Sequence, residues 1–125
     1  MVKTLVSMVI AVGILIGGAI FENAYIRHEF GIINTALISL YEKVEEKSAT
    51  EDDVYAVQNC WLDKKKNLHV FLPHNDLKEV DLWIAESVKL IKNKKWEDAL
   101  SKIEVLIELS EQIPKTFVLL PENVL

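Results

Sequence analysis

The residues best suited to chemistry lie close together, in CWLDKKKNLHVFLPHND at 60–76, where Cys60, Asp63, His69, His74 and Asp76 surround three lysines. Thiolate, imidazole and carboxylate are the donors of a zinc centre, and a cysteine with a histidine in reach is the start of a nucleophilic site. Spacing argues against both. On one helix over 51–72, Cys60 and His69 are nine positions apart, about 900° of rotation, which leaves them on opposite faces. His74 falls beyond Pro73, so only His69, His74 and Asp76 can approach one another, and only through an irregular loop. No Cys-x2-Cys or His-x3-His pair is present. A cysteine nucleophile also needs an oxyanion hole, and no glycine-rich turn lies near Cys60. The four glycines are Gly13, Gly17, Gly18 and Gly31. No phosphate loop or dinucleotide fingerprint appears either. The expectation is a protein with no catalytic residue, no metal and no cofactor.

Lys64-Lys65-Lys66 reads as a solvated, basic end of a helix, where cations are favourable. A phosphate or headgroup site there is the weaker reading, because the surroundings are acidic. The chain carries 19 acids against 14 Lys and Arg, a net charge of −5, and one of those cations, Lys3, precedes everything else charged. Nucleic acid is therefore not an expected partner, since phosphate contacts need clustered basic charge. Cys60 is the single cysteine, which rules out an internal disulfide.

The elements that position these residues begin with an apolar run. Leu5 to Phe21, LVSMVIAVGILIGGAIF, has no charge and no proline. As a helix it spans about 25 Å, close to a hydrocarbon core of about 30 Å. Its Leu, Ile, Val and Phe favour insertion by about 3–6 kcal/mol. Residues 1–22 are predicted to be a transmembrane signal anchor, and 23–125 an extracytoplasmic helical domain. The lipid bilayer is thus the first expected partner. Lys3 and the α-amino group place the N-terminus in the cytoplasm by the positive-inside rule, although Arg27 on the other flank opposes this. Gly17-Gly18-Ala19 also offers small residues to a signal peptidase, so secretion after cleavage stands as the alternative fate. The length of the run favours retention.

Beyond the anchor the apolar spacing is helical. Ile26, Phe30, Ile33, Leu37, Leu40 and Val44 recur every 4, 3, 4, 3 and 4 residues, one stripe that continues the anchor as a rod to about Lys47. A turn at Ser48-Ala49-Thr50 follows. Thr50 caps a second helix whose first turn is Glu51-Asp52-Asp53 and whose apolar face is Val54, Val57, Trp61 and Leu68. Pro73 breaks it, and Asn75 or Asp76 is expected to cap a third helix with the stripe Leu77, Val80, Ile84, Val88 and Ile91. The fourth holds Trp96, Ala99, Leu100, Ile103, Leu106, Ile107 and Ile113, and is expected to stop before Pro114. The tail FVLLPENVL is expected to lie back across the bundle. Leu68 to Leu72 is the one strand-like stretch, and it is short and isolated. The fold class is therefore all-α: an N-terminal transmembrane helix followed by a small antiparallel bundle of three to four helices.

Three contact candidates remain. Gly13 and Gly17 form a GxxxG pattern in the apolar helix, which permits close approach of a second helix in lipid. Trp83 falls off the third helix's stripe and is predicted to be exposed, as contact aromatics are. KKWEDALSKIEVLIELSE resembles one helix of a tetratricopeptide repeat, but no second copy follows at a period near 34.

The order of features is informative as a whole. An anchor and a helical stripe lead to Trp61 with its basic run. His74 with Asn75-Asp76-Leu77 comes next, then the WEDAL helix and a terminal Pro-Glu-Asn-Val-Leu. This order resembles a bacterial family called domain of unknown function 4363, found mainly in Gram-positive, often spore-forming organisms. The resemblance covers nearly the whole chain and implies a single-pass protein with an external helical domain. It also implies that Trp61 and His74 are recurrent positions with no assigned role, and it adds no chemistry. The function expected from the sequence is an accessory or interaction protein that acts through a multispanning membrane protein or as a homo-oligomer. The alternatives are an extracytoplasmic ligand-binding or sensor module, and a secreted helical protein.

Overall fold

A computed structural model describes residues 2–116 as four helices: α1 (Val2–Glu45), α2 (Glu51–Leu68), α3 (His74–Lys92) and α4 (Trp96–Thr116). The tail expected to cross the bundle, with Pro-Glu-Asn-Val-Leu, lies outside the described residues. α1 is one unbroken helix of 44 residues, about 66 Å long. Its second half is the first member of a four-helix bundle, so the apolar run and the bundle share a helix. α1 packs on α2 and α4, and α3 completes the square against those two. The cross-links show the antiparallel order: Lys43 meets Asp53 and Glu29 meets Lys64 between α1 and α2, while Asp81 meets Lys65 and Glu86 meets Lys102 further round.

The α1 stripe is buried at every expected position from Ile26 to Val44, with Glu29 added. Val54, Val57, Trp61 and Leu68 form the buried face of α2. On α3, Leu77, Val80, Ile84 and Ile91 are buried as expected. Ser87 takes the core slot next to the half-buried Val88, its hydroxyl satisfied by donating to the Trp83 carbonyl at 2.9 Å. Ala99, Ile103, Leu106 and Ile113 complete the core from α4.

The helix ends follow local chemistry in some places and depart from expectation in others. Thr50 and Asp53 form a reciprocal capping box: the Asp53 N–H donates to Thr50 Oγ1 at 3.2 Å, and the Thr50 N–H donates to Asp53 Oδ2 at 2.9 Å. That backbone donor, with Lys43, holds the Asp53 carboxyl below its ordinary pKa. α2 stops at Leu68 rather than near 72, and Leu68 to Leu72 enters a turn, not a strand. Pro73 itself is the N-cap of α3, with no side-chain cap, and Asn75 and Asp76 lie inside the first turn. The residue before a proline avoids the helical region, so the break falls ahead of Pro73 and the helix starts directly after it. α4 runs through Pro114 to Thr116 instead of stopping. The missing N–H there removes one bond near the helix end, and the buried ring adds to the packing beside Ile113.

Both α1 and α3 end in a left-handed lysine. Lys47 (φ 58°) and Lys94 (φ 56°) occupy the position where glycine is usual. In each case two N–H groups reach back to the last turn: Lys47 to Val44 and Ser48 to Lys43, Lys94 to Ile91 and Lys95 to Leu90. A side chain disfavours this conformation. Lys47→Gly and Lys94→Gly are each expected to stabilise the bundle by about 0.5–1 kcal/mol, a rise of a few degrees in Tm. Thermal unfolding of each variant in detergent checks it; a fall in Tm at both sites would contradict the cap reading.

Candidate functional site

The segment 60–76 does not converge. Cys60 is half-buried on α2 against the core, while His69 caps the end of α2 in an exposed position and His74 begins α3, also exposed. Among the described residues no three His, Cys, Asp or Glu side chains gather as a metal would require. Burial pushes the Cys60 thiol up from its ordinary pKa, with Lys64 acting in the opposite sense. It is kept as a thiol, not the thiolate a nucleophile uses.

The lysine triplet is divided between two ion pairs, which the sequence reading missed. Lys64 Nζ lies 2.7 Å from Glu29 Oε2 on α1, an ion-pair distance although the approach is not aligned as a hydrogen bond. Contact with that carboxylate raises the Lys64 pKa. Lys65 Nζ reaches Asp81 Oδ2 on α3. Asp81 accepts a second bond, at 2.6 Å, from the indole Nε1–H of Trp61. Trp61 is 1% exposed and its ring lies 6.2 Å from that of Phe30. This residue is the junction of α1, α2 and α3, a structural role that burial and a satisfied N–H fully explain.

Trp83 is half-buried rather than exposed. It packs against the core, and Lys102 of α4 stands 4.5 Å over its ring, 3.3 Å from Glu86. One face of the ring is therefore covered by a cation–π contact, which leaves less of it for a partner than the sequence suggested.

Among the described residues, the first half of α1 is the most exposed apolar surface. The helix is long and apolar enough to cross a membrane, and no residue of its most apolar window is buried. It has the length and composition of a membrane anchor or of a signal sequence. Leu5, Ile14 and Leu15 are all more than 60% exposed. A Cβ placed at Gly13, Gly17 or Gly31 would meet nothing within 4 Å beyond the helix's own backbone and the adjoining residues. Gly31 follows Gly13 by 18 residues, and Thr35 follows Gly17 by the same number; at 3.6 residues per turn that is five full turns. The small face of the apolar half thus continues in register onto the bundle. There His28, Gly31, Ile32 and Thr35 line an open, shallow hollow, and Thr35 Oγ1 donates to the Gly31 carbonyl at 3.0 Å. Because α1 is unbroken, Gly13, Gly17, Gly31 and Thr35 lie on one exposed side of it, the two pairs separated by Ile20 and Ala24.

A second uncovered feature lies where the apolar run meets the bundle. The turn between α2 and α3 brings Phe71 against Tyr25, with ring centroids 5.7 Å apart. Val70 beside it is 71% exposed. The apolar run Val70-Phe71-Leu72 ahead of Pro73 was the available signal for this feature, and the sequence reading took it as the end of a helix or as a short strand.

A family model described as Domain of unknown function (DUF4363) matches residues 20–124, starting where the apolar run ends. No curated protein and no solved structure matches the chain.

Proposed function

We propose that this chain, which belongs to the DUF4363 family, is a non-enzymatic accessory protein held in the cell membrane by the first half of α1. In this reading the N-terminus is cytoplasmic and the bundle extracytoplasmic. The protein acts by placing that bundle against a multispanning membrane protein or a second copy of itself. The observation that carries the reading is the uncovered apolar half of α1. In water a run of this kind is buried or aggregates; in lipid it is stable alone. The small stripe through Gly13 and Gly17 supplies a face on which another helix can approach closely.

The test is co-purification of the full-length chain from its native membrane in mild detergent. Gly13→Leu/Gly17→Leu is expected to weaken recovery of the partner, or of the dimer, on the order of tenfold, about 1.4 kcal/mol. Leu15→Ala, about 200° round the helix from Gly13, is expected to leave it unchanged. Equal recovery from both variants would remove the stripe from the function.

A further inference from the structure

The turn at 69–73 sits at a depth that α1 dictates. If the run Leu5 to Phe21 crosses the hydrocarbon layer, Phe21 lies at its outer boundary, because 17 residues span about 25 Å against about 30 Å. Glu22 then lies among the headgroups. Tyr25 is four residues beyond Phe21, about 6 Å along the axis, and α1 has no break between the two. Phe71 packs on Tyr25. It also lines two shallow hollows that include Phe21, one with Glu22 and one with Asn67 and Val70. The interfacial layer outside the hydrocarbon is about 5–8 Å deep on each side, so Phe71 and Val70 fall within it.

The chemistry of the turn suits that depth. Phe21, Tyr25 and Phe71 make an aromatic cluster at the exit point, as in the aromatic belts of membrane proteins. Among the described residues, Val70 presents 71% of its surface outward. Arg27, His28, Lys66 and His69 are exposed near the same end of the bundle, suited to a headgroup layer. The opposite end of the bundle carries no such apolar pair at its turns: 46–48 and 93–95 are Glu-Lys-Ser and Asn-Lys-Lys.

We infer that the α2–α3 turn is a second membrane contact, in which Val70 and Phe71 enter the interfacial layer of the lipid bilayer beside the emerging anchor. The bundle then rests on the membrane at two points and has a fixed orientation toward it. This rests on the anchor reading above. Its occupant is lipid and not a protein groove, because the turn is continuous with the surface of the apolar run.

The test uses the full-length chain with Cys60→Ser, reconstituted in phosphatidylcholine–phosphatidylglycerol vesicles and spin-labelled singly at Leu15→Cys, Val70→Cys or Lys89→Cys. Collision with oxygen reports lipid, and collision with a water-soluble nickel chelate reports water. The expected result is a lipid-type ratio at 15, a water-type ratio at 89, and a ratio at 70 several-fold above that at 89. A lipid-type 15 with a water-type 70 would overturn the turn contact and leave the anchor standing, with a protein partner as the remaining occupant of the turn. A water-type 15 would overturn the anchor and the turn contact together. Circular dichroism of each labelled chain, with Cys60→Ala as a second background, excludes misfolding as the cause.

Discussion

Trp61→Ala is expected to lower the stability of the bundle by about 3–5 kcal/mol, against about 5–15 kcal/mol for an ordinary domain. The side chain is 1% exposed and lies between the Phe30 ring of α1 and the Asp81 carboxylate of α3. Truncation therefore opens a cavity at the junction of three helices, and it also removes one of the two donors to Asp81. The two losses can be separated. Trp61→Phe keeps most of the volume and loses only the N–H, at an expected cost of about 1–2 kcal/mol. Asp81→Ala strands the buried indole N–H and frees Lys65, at about 1–3 kcal/mol. Combining Trp61→Phe with Asp81→Ala should cost less than the two singly, because the N–H left unpaired by one is deleted by the other. Leu62→Ala, on the exposed side of the same helix, should stay within about 0.5 kcal/mol. Denaturant titration in mild detergent, followed by amide exchange of α2 and α3, reads the bundle separately from the apolar helix. If Asp81→Ala matches the parent, Trp61 is held by packing alone and the polar junction carries no stability.

This junction also shows what a single sequence conveys and what it does not. The buried faces of α1 and α2 follow from spacing, since a 3.6-residue period places Ile26 to Val44, or Val54 to Leu68, on one side without reference to any neighbour. The Thr50 cap is legible for the same reason, its partner being three residues away. Asp81 is different. Its pairing with Trp61 and Lys65 spans 20 and 16 residues and depends on the register in which α2 and α3 pack, which local pattern does not encode. The lysine triplet was read as solvated because charge runs usually are; two of the three are tied across helices. Pro114 and the left-handed Lys47 and Lys94 violate local preference, and the packing on either side of them supplies the compensation. On the candidate surface, Gly13 and Gly17 were visible as a pattern. Their alignment with Gly31 and Thr35 follows from the continuous rod the sequence already predicted, whereas the position of Val70 and Phe71 required knowing that α2 ends at Leu68.

Val12→Arg/Ile16→Arg is expected to release the protein from the membrane. Each arginine near the centre of a spanning helix disfavours insertion by about 2.5–3.5 kcal/mol, so the pair removes about 5–7 kcal/mol where the apolar run favours insertion by about 3–6 kcal/mol. Both positions are exposed on α1, Val12 at 52% and Ile16 at 56%. The bundle begins at Ile26 and should keep its unfolding transition. Sedimentation of native membranes through alkaline carbonate reads the outcome: the parent chain stays in the pellet and the variant moves to the supernatant. Ile38→Arg, on the exposed face of the bundle part of α1, serves as the control and should remain in the pellet. N-terminal sequencing of the pelleted parent separates the two fates of the run. A chain that still begins before Leu5 is anchored, whereas one that begins near Gly18 has lost its span to a signal peptidase. A variant that stays in the pellet with an intact N-terminus would show that the span is not what holds the protein. The α2–α3 turn or a protein partner would then carry the attachment, and the order of importance of the two membrane contacts would be reversed.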